Sequence, residues 1–156
     1  MIRVLFVCYG NICRSPMAEA VFQHLVEQAG LSDQIKVDSA GTSAVNLGGP
    51  AHSGTRDVLR RHSIVYEGRA RQVSLADLYE ADYVIAMDYE NHANLGHVAG
   101  WGDLEGKLYL LLDFAPDAST HEVPDPIYDG QFDRVYDLVE AGCRGLLDHI
   151  RAEHNL

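Results

Sequence analysis

The stretch that decides the fold covers residues 2–30 and reads IRVLFVCYGNICRSPMAEAVFQHLVEQAG. Its first six residues are almost wholly apolar, which is typical of a strand in a parallel sheet with both faces covered. After a short loop, apolar residues recur at helical spacing from Ala18 to Ala29. Ser15 can cap this helix, Pro16 suits its first position and Gly30 suits its end. The stretch therefore predicts strand, loop and helix in that order.

The rest of the chain alternates strand and helix patterns in the same way. Apolar or alternating runs predict three more strands, at residues 35–40, 81–87 and 107–112. Helical spacing and capping residues predict helices at residues 55–62, from Ser74 onward, at 89–98 and at 132–150. This alternation predicts an α/β fold: a single doubly wound domain over residues 1–156, with a four-stranded parallel sheet flanked by helices.

Composition narrows the class of function. The formal net charge of -11 opposes binding to nucleic acid, whose affinity for proteins comes mainly from Lys and Arg. No apolar run approaches the roughly 18 residues that span a bilayer, so no membrane association is expected. Three cysteines without a secretion signal predict neither a disulfide framework nor a zinc site. We therefore expect a cytoplasmic protein.

The loop between the first strand and the first helix has the parts of an anion site. Ligands of doubly wound sheets bind at the carboxyl ends of the strands, and Cys8 stands at such an end. Free N–H groups at a helix start attract phosphate, and Gly10 can adopt backbone angles closed to other residues. Arg14 can supply a bidentate fork to two phosphate oxygens. The residues of this cradle are Cys8, Tyr9, Gly10, Asn11, Ile12, Cys13, Arg14 and Ser15.

The same positive field should favour the thiolate form of Cys8, and Ser15 is placed to donate a hydrogen bond to it. A thiolate attacking phosphorus gives a phosphocysteine, with Arg14 and the loop amides stabilising the transition state. This chemistry requires no metal and no cofactor. A Cys followed six positions later by Arg occurs by composition in about one chain of five, so the strand before it and the helix after it carry the prediction.

The run from Val7 to Pro16 resembles the signature of the low-molecular-weight protein tyrosine phosphatases. A second motif of that family, Asp-Pro before the last helix, is present here as Asp125-Pro126. The similarity extends through residues 38–41, 70–72 and 86–88, and so covers nearly the whole chain. The resemblance implies a flavodoxin-like strand order and hydrolysis of phosphotyrosine in proteins.

The resemblance also assigns roles to individual residues. It implies Cys8 as nucleophile, Arg14 as phosphate binder and Asp125 as general acid, while Asn11 and Ser39 brace the loop. A departing phenolate has a pKa near 10, so protonation of its oxygen assists cleavage. Asp125 can then act as base on the water that hydrolyses phosphocysteine. Activity should peak where Cys8 is ionised and Asp125 is protonated, which predicts an acidic optimum.

Other side chains have two readings each. Cys13 could form a reversible disulfide with Cys8 or be a packed small side chain, whereas Cys143 lies on the apolar stripe of the last helix and is expected in the core. Asp88 could brace the loop near Arg14 or cap a helix. Residues that could wall the substrate ring, or be ordinary exposed loop residues, are Tyr9, Leu47 and Tyr128.

Two departures from the family pattern concern the rim of the expected pocket. Many relatives have two adjacent aromatic residues after Asp-Pro, whereas here Ile127 precedes Tyr128, and many carry Trp where Val45 stands. Both departures leave the preference among substrates open. We expect phosphotyrosine-containing proteins as partners and a monomer or weak dimer as the assembly.

Three other functions are rivals to hydrolysis of phosphotyrosine. Some bacterial relatives act on phosphoarginine and resemble this loop with Thr in place of Ile12, so Ile12 favours tyrosine. Thioredoxin-coupled arsenate reductases need further cysteines in the middle of the chain, and residues 64–142 contain none. A phosphocysteine carrier would not hydrolyse its phosphoryl group, and Asp125 argues against it because a carrier needs no acid for a leaving group.

Overall fold

In the computed structural model, which describes residues 1–156, four strands form one parallel sheet. They are β1 (Ile2–Cys8), β2 (Ile35–Gly41), β3 (Tyr83–Ala86) and β4 (Leu108–Leu110), in the spatial order β2-β1-β3-β4. β1 is central and pairs with β2 on one side and β3 on the other. The predicted fold class, a doubly wound α/β sheet of four parallel strands, is confirmed.

Five α-helices cover the two faces of the sheet: α1 (Arg14–Gln28), α2 (Ser53–Arg61), α3 (Leu75–Glu80), α4 (Tyr89–Ala99) and α5 (Phe132–His154). Successive β1 side chains point to opposite faces, as the period of two requires. Phe6 and Cys8 enter the larger core under α1, α2 and α5, whereas Leu5 and Val7 enter the smaller core under α3 and α4. No helix has both the length and the apolar character that crossing a membrane demands.

The predicted start of α1 is wrong in two details. The helix begins at Arg14, and Cys13 takes the N-cap position without a side-chain capping bond. Ser15 is therefore the second helical residue, and its hydroxyl lies 3.0 Å from Cys8 Sγ instead of capping the helix. Pro16 is the third residue, where its missing N–H costs nothing because first-turn N–H groups have no helical acceptor. The N-terminus of α1 is thus left open toward Cys8.

Other boundaries differ by one to four residues, the largest difference being at the end of α5. β4 ends at Leu110 rather than at residue 112, because Asp113 Oδ2 accepts the Leu110 N–H at 2.9 Å and the chain enters a 3-10 turn. α2 starts earlier than predicted, since His52 Nδ1 accepts the Gly54 N–H at 3.0 Å. The capping box predicted at Ser74 is confirmed. The strand ends that position the site are unaffected by these shifts.

Candidate active site

The Cys8–Ser15 loop joins the carboxyl end of β1 to the start of α1. Cys8 is the last residue of β1 and only 3% exposed. The backbone N–H groups of residues 10–15 find no acceptor within the chain. Buried or half-buried N–H groups are rarely left unpaired, so this loop is built to receive an acceptor from outside the chain. Together with the helix dipole, the loop favours a bound anion beside Cys8.

Asn11 supplies the sharp bend in the loop. Its φ of 56° lies in the left-handed region, which costs a residue with a side chain about 1 kcal/mol or more. Three hydrogen bonds hold it there. Asn11 Nδ2 donates to Ser15 Oγ at 2.8 Å and to Ser39 Oγ at 3.0 Å, and Asn11 Oδ1 accepts the Arg71 N–H at 3.0 Å. The structure thus brings Asn11, Ser15 and Ser39 together behind the loop.

The expectation that Gly10 provides an unusual backbone angle is wrong, because Gly10 has no positive φ. Its small size is what the structure uses. A Cβ on Gly10 would lie 2.5 Å from Asn46 Nδ2, which donates to the Gly10 carbonyl at 3.3 Å. A larger residue at position 10 would therefore displace the Asn46 side chain.

Arg14 is 3% exposed and is held by groups from two distant segments. Its Nη1 donates to Asp88 Oδ2 at 2.6 Å and to the Val123 carbonyl at 3.0 Å. Burial alone would lower the pKa of Arg14, but Cys8, Asp88 and Asp125 outweigh it and raise the pKa. The guanidinium is therefore a permanent cation with a fixed orientation.

Asp88 fulfils both of the roles that the sequence left open. Its Oδ2 pairs with Arg14, while its Oδ1 accepts the Asn91 N–H at 2.8 Å and caps α4. One carboxylate therefore fixes a helix start and orients the guanidinium. The two readings of Asp88 are not alternatives in the folded chain.

Asp125 lies in the segment that leads to α5. Its Oδ1 accepts the Ile127 N–H at 3.2 Å, and its Oδ2 lies 3.6 Å from Arg14 Nη2. The side chain is 27% exposed and lines the same cavity as Cys8. A carboxyl group in this position can reach an atom that sits at the mouth of the cavity.

The cavity above Cys8 has a volume of about 250 Å³. Its lining residues are Cys8, Tyr9, Gly10, Ile12, Cys13, Arg14, Val45, Asn46, Asp125, Ile127 and Tyr128. Leu47 is 66% exposed and does not line it, and Val45 and Asn46 occupy that wall instead. Cationic and amide groups at the base and apolar side chains at the walls suit an anion attached to an apolar group.

The three thiols lie in different surroundings, and all are free. Cys13 lines the cavity beside Cys8, and burial, reinforced by Asp125 and Cys8, raises its pKa to about 12. Cys143 is fully buried in the larger core, and its Sγ lies 3.7 Å from the Ala18 carbonyl. The core placement predicted for Cys143 is confirmed.

Three supports of the loop were not predicted from the sequence. They are the Asn46 side chain, the His52 N–H, which donates to the Ile12 carbonyl at 2.8 Å, and the Thr55 hydroxyl, which donates to the Cys13 carbonyl at 3.0 Å. All three come from the long segment between β2 and the first turn of α2. No sequence periodicity identifies them, because they reach the loop only through the path of an irregular segment that folds back over it.

The comparison with known proteins agrees with this geometry. The sequence profile of the family described as low molecular weight phosphotyrosine protein phosphatase matches residues 3–156. The chain belongs to this family. Its members are phosphatases, and membership implies phosphoprotein substrates. The resemblance noted in the run from Val7 to Pro16 and in Asp125-Pro126 is thereby confirmed.

Individual members of the family are similar over the whole chain. A Bacillus subtilis relative, low molecular weight protein-tyrosine-phosphatase YfkJ, is 48% identical over all of both chains. The Staphylococcus epidermidis protein-tyrosine-phosphatase PtpA is 42% identical over all of this chain and 98% of its own. The crystal structure of YfkJ superposes with a TM-score of 0.95 at 49% identity, covering 98% of this chain and 96% of that one.

A more distant solved structure is named for a different activity. The crystal structure of DARP, a drosophila arginine phosphatase, superposes with a TM-score of 0.88 at 33% identity. It covers 96% of this chain and 98% of its own. A protein of the same fold is therefore described as acting on arginine rather than on tyrosine.

Proposed function

We propose that this chain is a protein-tyrosine phosphatase that hydrolyses phosphotyrosine, and aryl phosphates in general, through a phosphocysteine on Cys8. One observation carries the proposal. The loop of residues 10–15, whose N–H groups are unpaired, and Arg14 lie at the cavity that Cys8 lines. A phosphoryl group offers the acceptor oxygens that these donors lack.

Binding comes first in the proposed cycle. The non-bridging oxygens accept hydrogen bonds from the loop N–H groups and from the Arg14 fork, so the phosphorus is held next to Cys8. Asp88 and the Val123 carbonyl occupy Nη1 of Arg14, which keeps the guanidinium from turning away. The donors are in place before the substrate arrives, so little reorganisation is needed in the transition state.

The first chemical step transfers the phosphoryl group to sulfur. The Cys8 thiolate attacks phosphorus, and the bond from phosphorus to the phenolic oxygen breaks as Asp125 gives that oxygen its proton. The products are a neutral phenol, a phosphocysteine and an ionised Asp125. The negative charge on the equatorial oxygens stays with Arg14 and the loop amides throughout.

The second step restores the enzyme. Asp125 takes a proton from a water molecule whose oxygen attacks phosphorus, and the bond from phosphorus to sulfur breaks. Inorganic phosphate leaves, Cys8 is again a thiolate and Asp125 is again protonated.

An arginine phosphatase is the second candidate, favoured by the similarity to DARP. The apolar side chain of Ile12 in the cavity argues for the tyrosine reading, because a phosphoarginine brings a polar guanidino group that an apolar wall cannot satisfy. Competition between phosphotyrosine and phosphoarginine peptides in one reaction decides between them. A preference for phosphoarginine would contradict our assignment.

The remaining features of the proposal concern the setting. We propose a single domain over residues 1–156 that works in the cytoplasm as a monomer or weak dimer on phosphotyrosine-containing proteins. Three free thiols suit a reducing compartment, and the net charge of -11 disfavours nucleic acid as a partner. Asp125 at the cavity supports hydrolysis over a carrier role, because a carrier needs no acid there.

The test is turnover of p-nitrophenyl phosphate by Cys8→Ser, with Cys143→Ala as the matched control that removes a thiol from the core. Loss of the nucleophile should lower turnover by about 10⁴-fold or more, whereas the control should retain activity once its folding is verified. Retained turnover in Cys8→Ser would mean that the nucleophile is wrongly assigned. A phosphorylated wild type that never turns over would favour the carrier.

A further inference from the structure

The hydrogen bonds behind the Cys8–Ser15 loop continue to two residues that the mechanism does not use. Glu19 lies on α1 and Tyr66 lies in the segment after α2. Glu19 Oε1 accepts the Ser39 hydroxyl at 2.5 Å and the Tyr66 hydroxyl at 2.9 Å. A continuous path of side-chain contacts therefore runs from Tyr66 and Glu19 to the sulfur of Cys8.

The carboxylate of Glu19 determines which atom is the donor in each hydrogen bond between Glu19 and Cys8. A carboxylate oxygen only accepts, so Ser39 must spend its one hydroxyl proton on Glu19. Ser39 Oγ can then only accept from Asn11, and its partner at 3.0 Å is Asn11 Nδ2. The orientation of the Asn11 amide follows, with its nitrogen toward Ser39 and its oxygen toward the Arg71 N–H.

The series of hydrogen bonds continues from Asn11 to the nucleophile. The second proton of Asn11 Nδ2 goes to Ser15 Oγ at 2.8 Å, so Ser15 is an acceptor there. Its own hydroxyl proton is left for Cys8 Sγ, 3.0 Å away. The contact between Ser15 and Cys8, which distance alone leaves undirected, thus becomes a bond donated to sulfur, and that bond stabilises the thiolate.

Space for the far end of the path is provided by Gly68. A Cβ built on Gly68 would overlap the ring and hydroxyl of Tyr66, so an alanine there would push that hydroxyl from its present position against Glu19. Burial raises the pKa of Glu19, and the bonds from Ser39 and Tyr66 oppose that rise. The charged groups that act on Glu19 are Asp38 and Arg71, whose side chains are paired with each other at 2.8 Å. Tyr66 is thus one of two donors that keep Glu19 an acceptor.

We propose that Glu19, held by Tyr66, is a positioning residue that sets the direction of the hydrogen bonds ending on Cys8. The proposal rests on the proposed function in that Cys8 is the nucleophile whose thiolate matters. Glu19 touches neither substrate nor phosphorus, and it acts only through Ser39, Asn11 and Ser15.

Charge and orientation predict opposite effects when Glu19 is removed. Loss of the negative charge of Glu19 would by itself favour the thiolate of Cys8. Loss of the acceptor has the opposite effect, because Ser39 is then free to donate toward Asn11 and the Ser15 hydroxyl is no longer forced to donate to Cys8. Our proposal predicts a less reactive Cys8. The sign of the change therefore separates the two explanations.

The experiment measures the rate at which iodoacetamide alkylates Cys8, identified by peptide mass, between pH 5 and 9. At pH 6, Glu19→Ala should react about threefold to tenfold more slowly than wild type, the range expected for one lost hydrogen bond of ordinary net strength. The rates should converge at high pH. Glu19→Gln keeps an acceptor and should stay closer to wild type than Glu19→Ala does.

Two further variants report on the far end of the path. Tyr66→Phe and Gly68→Ala should each slow the reaction at pH 6 about twofold, because each removes the Tyr66 bond to Glu19. Glu27→Ala is the matched control: Glu27 lies on the same helix, and its side chain accepts only the exposed Gln23 amide. Its alkylation profile should follow that of wild type.

Several outcomes would overturn the proposal. They are a faster Glu19→Ala, a slowing that is equal at every pH, or profiles of Glu19→Ala and Tyr66→Phe that match wild type. If Glu19→Ala does not fold by circular dichroism, Tyr66→Phe alone decides. Alkylation needs no turnover, so a failure of the phosphatase assignment, read from aryl phosphate hydrolysis, stays distinct from a failure of this proposal.

Discussion

The floor and the rim of the cavity are built in opposite ways. On the floor, Asn11, Arg14 and Ser15 are at most 3% exposed, and their side chains are bonded to partners from four other segments of the chain. On the rim, Ile127 is 52% and Tyr128 is 89% exposed. Neither rim side chain has a polar partner that holds it. The floor has one arrangement, whereas the rim can adjust.

This contrast separates reaction from preference. Stabilisation of a phosphoryl transition state needs donors that do not move, which the floor provides. Recognition of the groups around the phosphoryl group needs only contact surface. The rim provides that surface without fixing its side chains in one arrangement. We therefore expect changes on the floor to alter kcat/KM for every substrate and changes on the rim to alter it for some.

The largest effect after loss of Cys8 is expected from Asp125→Asn. Removal of the acid should lower kcat/KM about 10²-fold to 10³-fold for phenyl phosphate, whose leaving group needs a proton. The loss should be much smaller for p-nitrophenyl phosphate, whose leaving group departs readily as an anion. Steady-state kinetics with the two substrates measure the difference.

A matched control for that variant is Asp129→Asn, a change in the same segment at a side chain that accepts the Gln131 N–H. It should affect both substrates little. An equal loss for both substrates in Asp125→Asn would show that Asp125 supports the site without protonating the leaving group.

Asp88→Asn tests the floor without touching the phosphoryl group. The change keeps an oxygen to cap α4 but removes the charge that holds Arg14 Nη1. We expect kcat/KM to fall about tenfold to a hundredfold for phenyl and p-nitrophenyl phosphate alike, the range for a lost hydrogen bond between charged groups. Asp113→Asn, which alters another carboxylate that accepts a backbone N–H, is the control. Unequal losses for the two substrates would contradict the separation of floor and rim.

The two cysteines of the loop offer a test within the floor itself. Burial raises the pKa of Cys13 to about 12, so its thiol stays protonated throughout the range from pH 6 to 9. Iodoacetamide should therefore label Cys8 at least about tenfold faster than Cys13 in that range, and added phosphate should protect Cys8. Peptide mass spectrometry after short exposure reads both. Equal labelling would mean that the loop does not select Cys8.

The sequence predicted the floor and most of the rim, but not the supports behind the loop: Tyr9, Val45, Ile127 and Tyr128 line the cavity as expected, whereas Leu47 does not. The apolar run of β1 and the open helix start dictate where Cys8 and Arg14 must lie, because both depend on local pattern. The N-cap role expected of Ser15 failed for a physical reason: its hydroxyl is engaged with Cys8 and Asn11. Local propensity cannot anticipate a partner that comes from tertiary structure.

The same limit explains what was missed around the site. Asn46 and Thr55 contact the loop only because an irregular segment folds back over it, and no periodicity records that path. Val45 lines the cavity as expected, whereas Leu47, two residues further along the same exposed segment, does not, and no local pattern distinguishes the two positions. Side chains that make few contacts do not contribute to the hydrophobic periodicity from which structure is predicted.

The smallest effects are expected on the rim. Ile127→Asp places a carboxylate at the cavity mouth without touching Cys8 or Arg14. It should raise KM about twofold to fivefold for phosphotyrosine peptides with acidic flanking residues, through like-charge repulsion, and leave kcat nearly unchanged. High salt should reduce the effect. Ile127→Asn, equal in size but uncharged, should raise KM less, and its difference from Ile127→Asp isolates the charge. A fall in kcat for every peptide would instead mean that the rim positions the reacting group. The floor alone would then not determine the reaction rate.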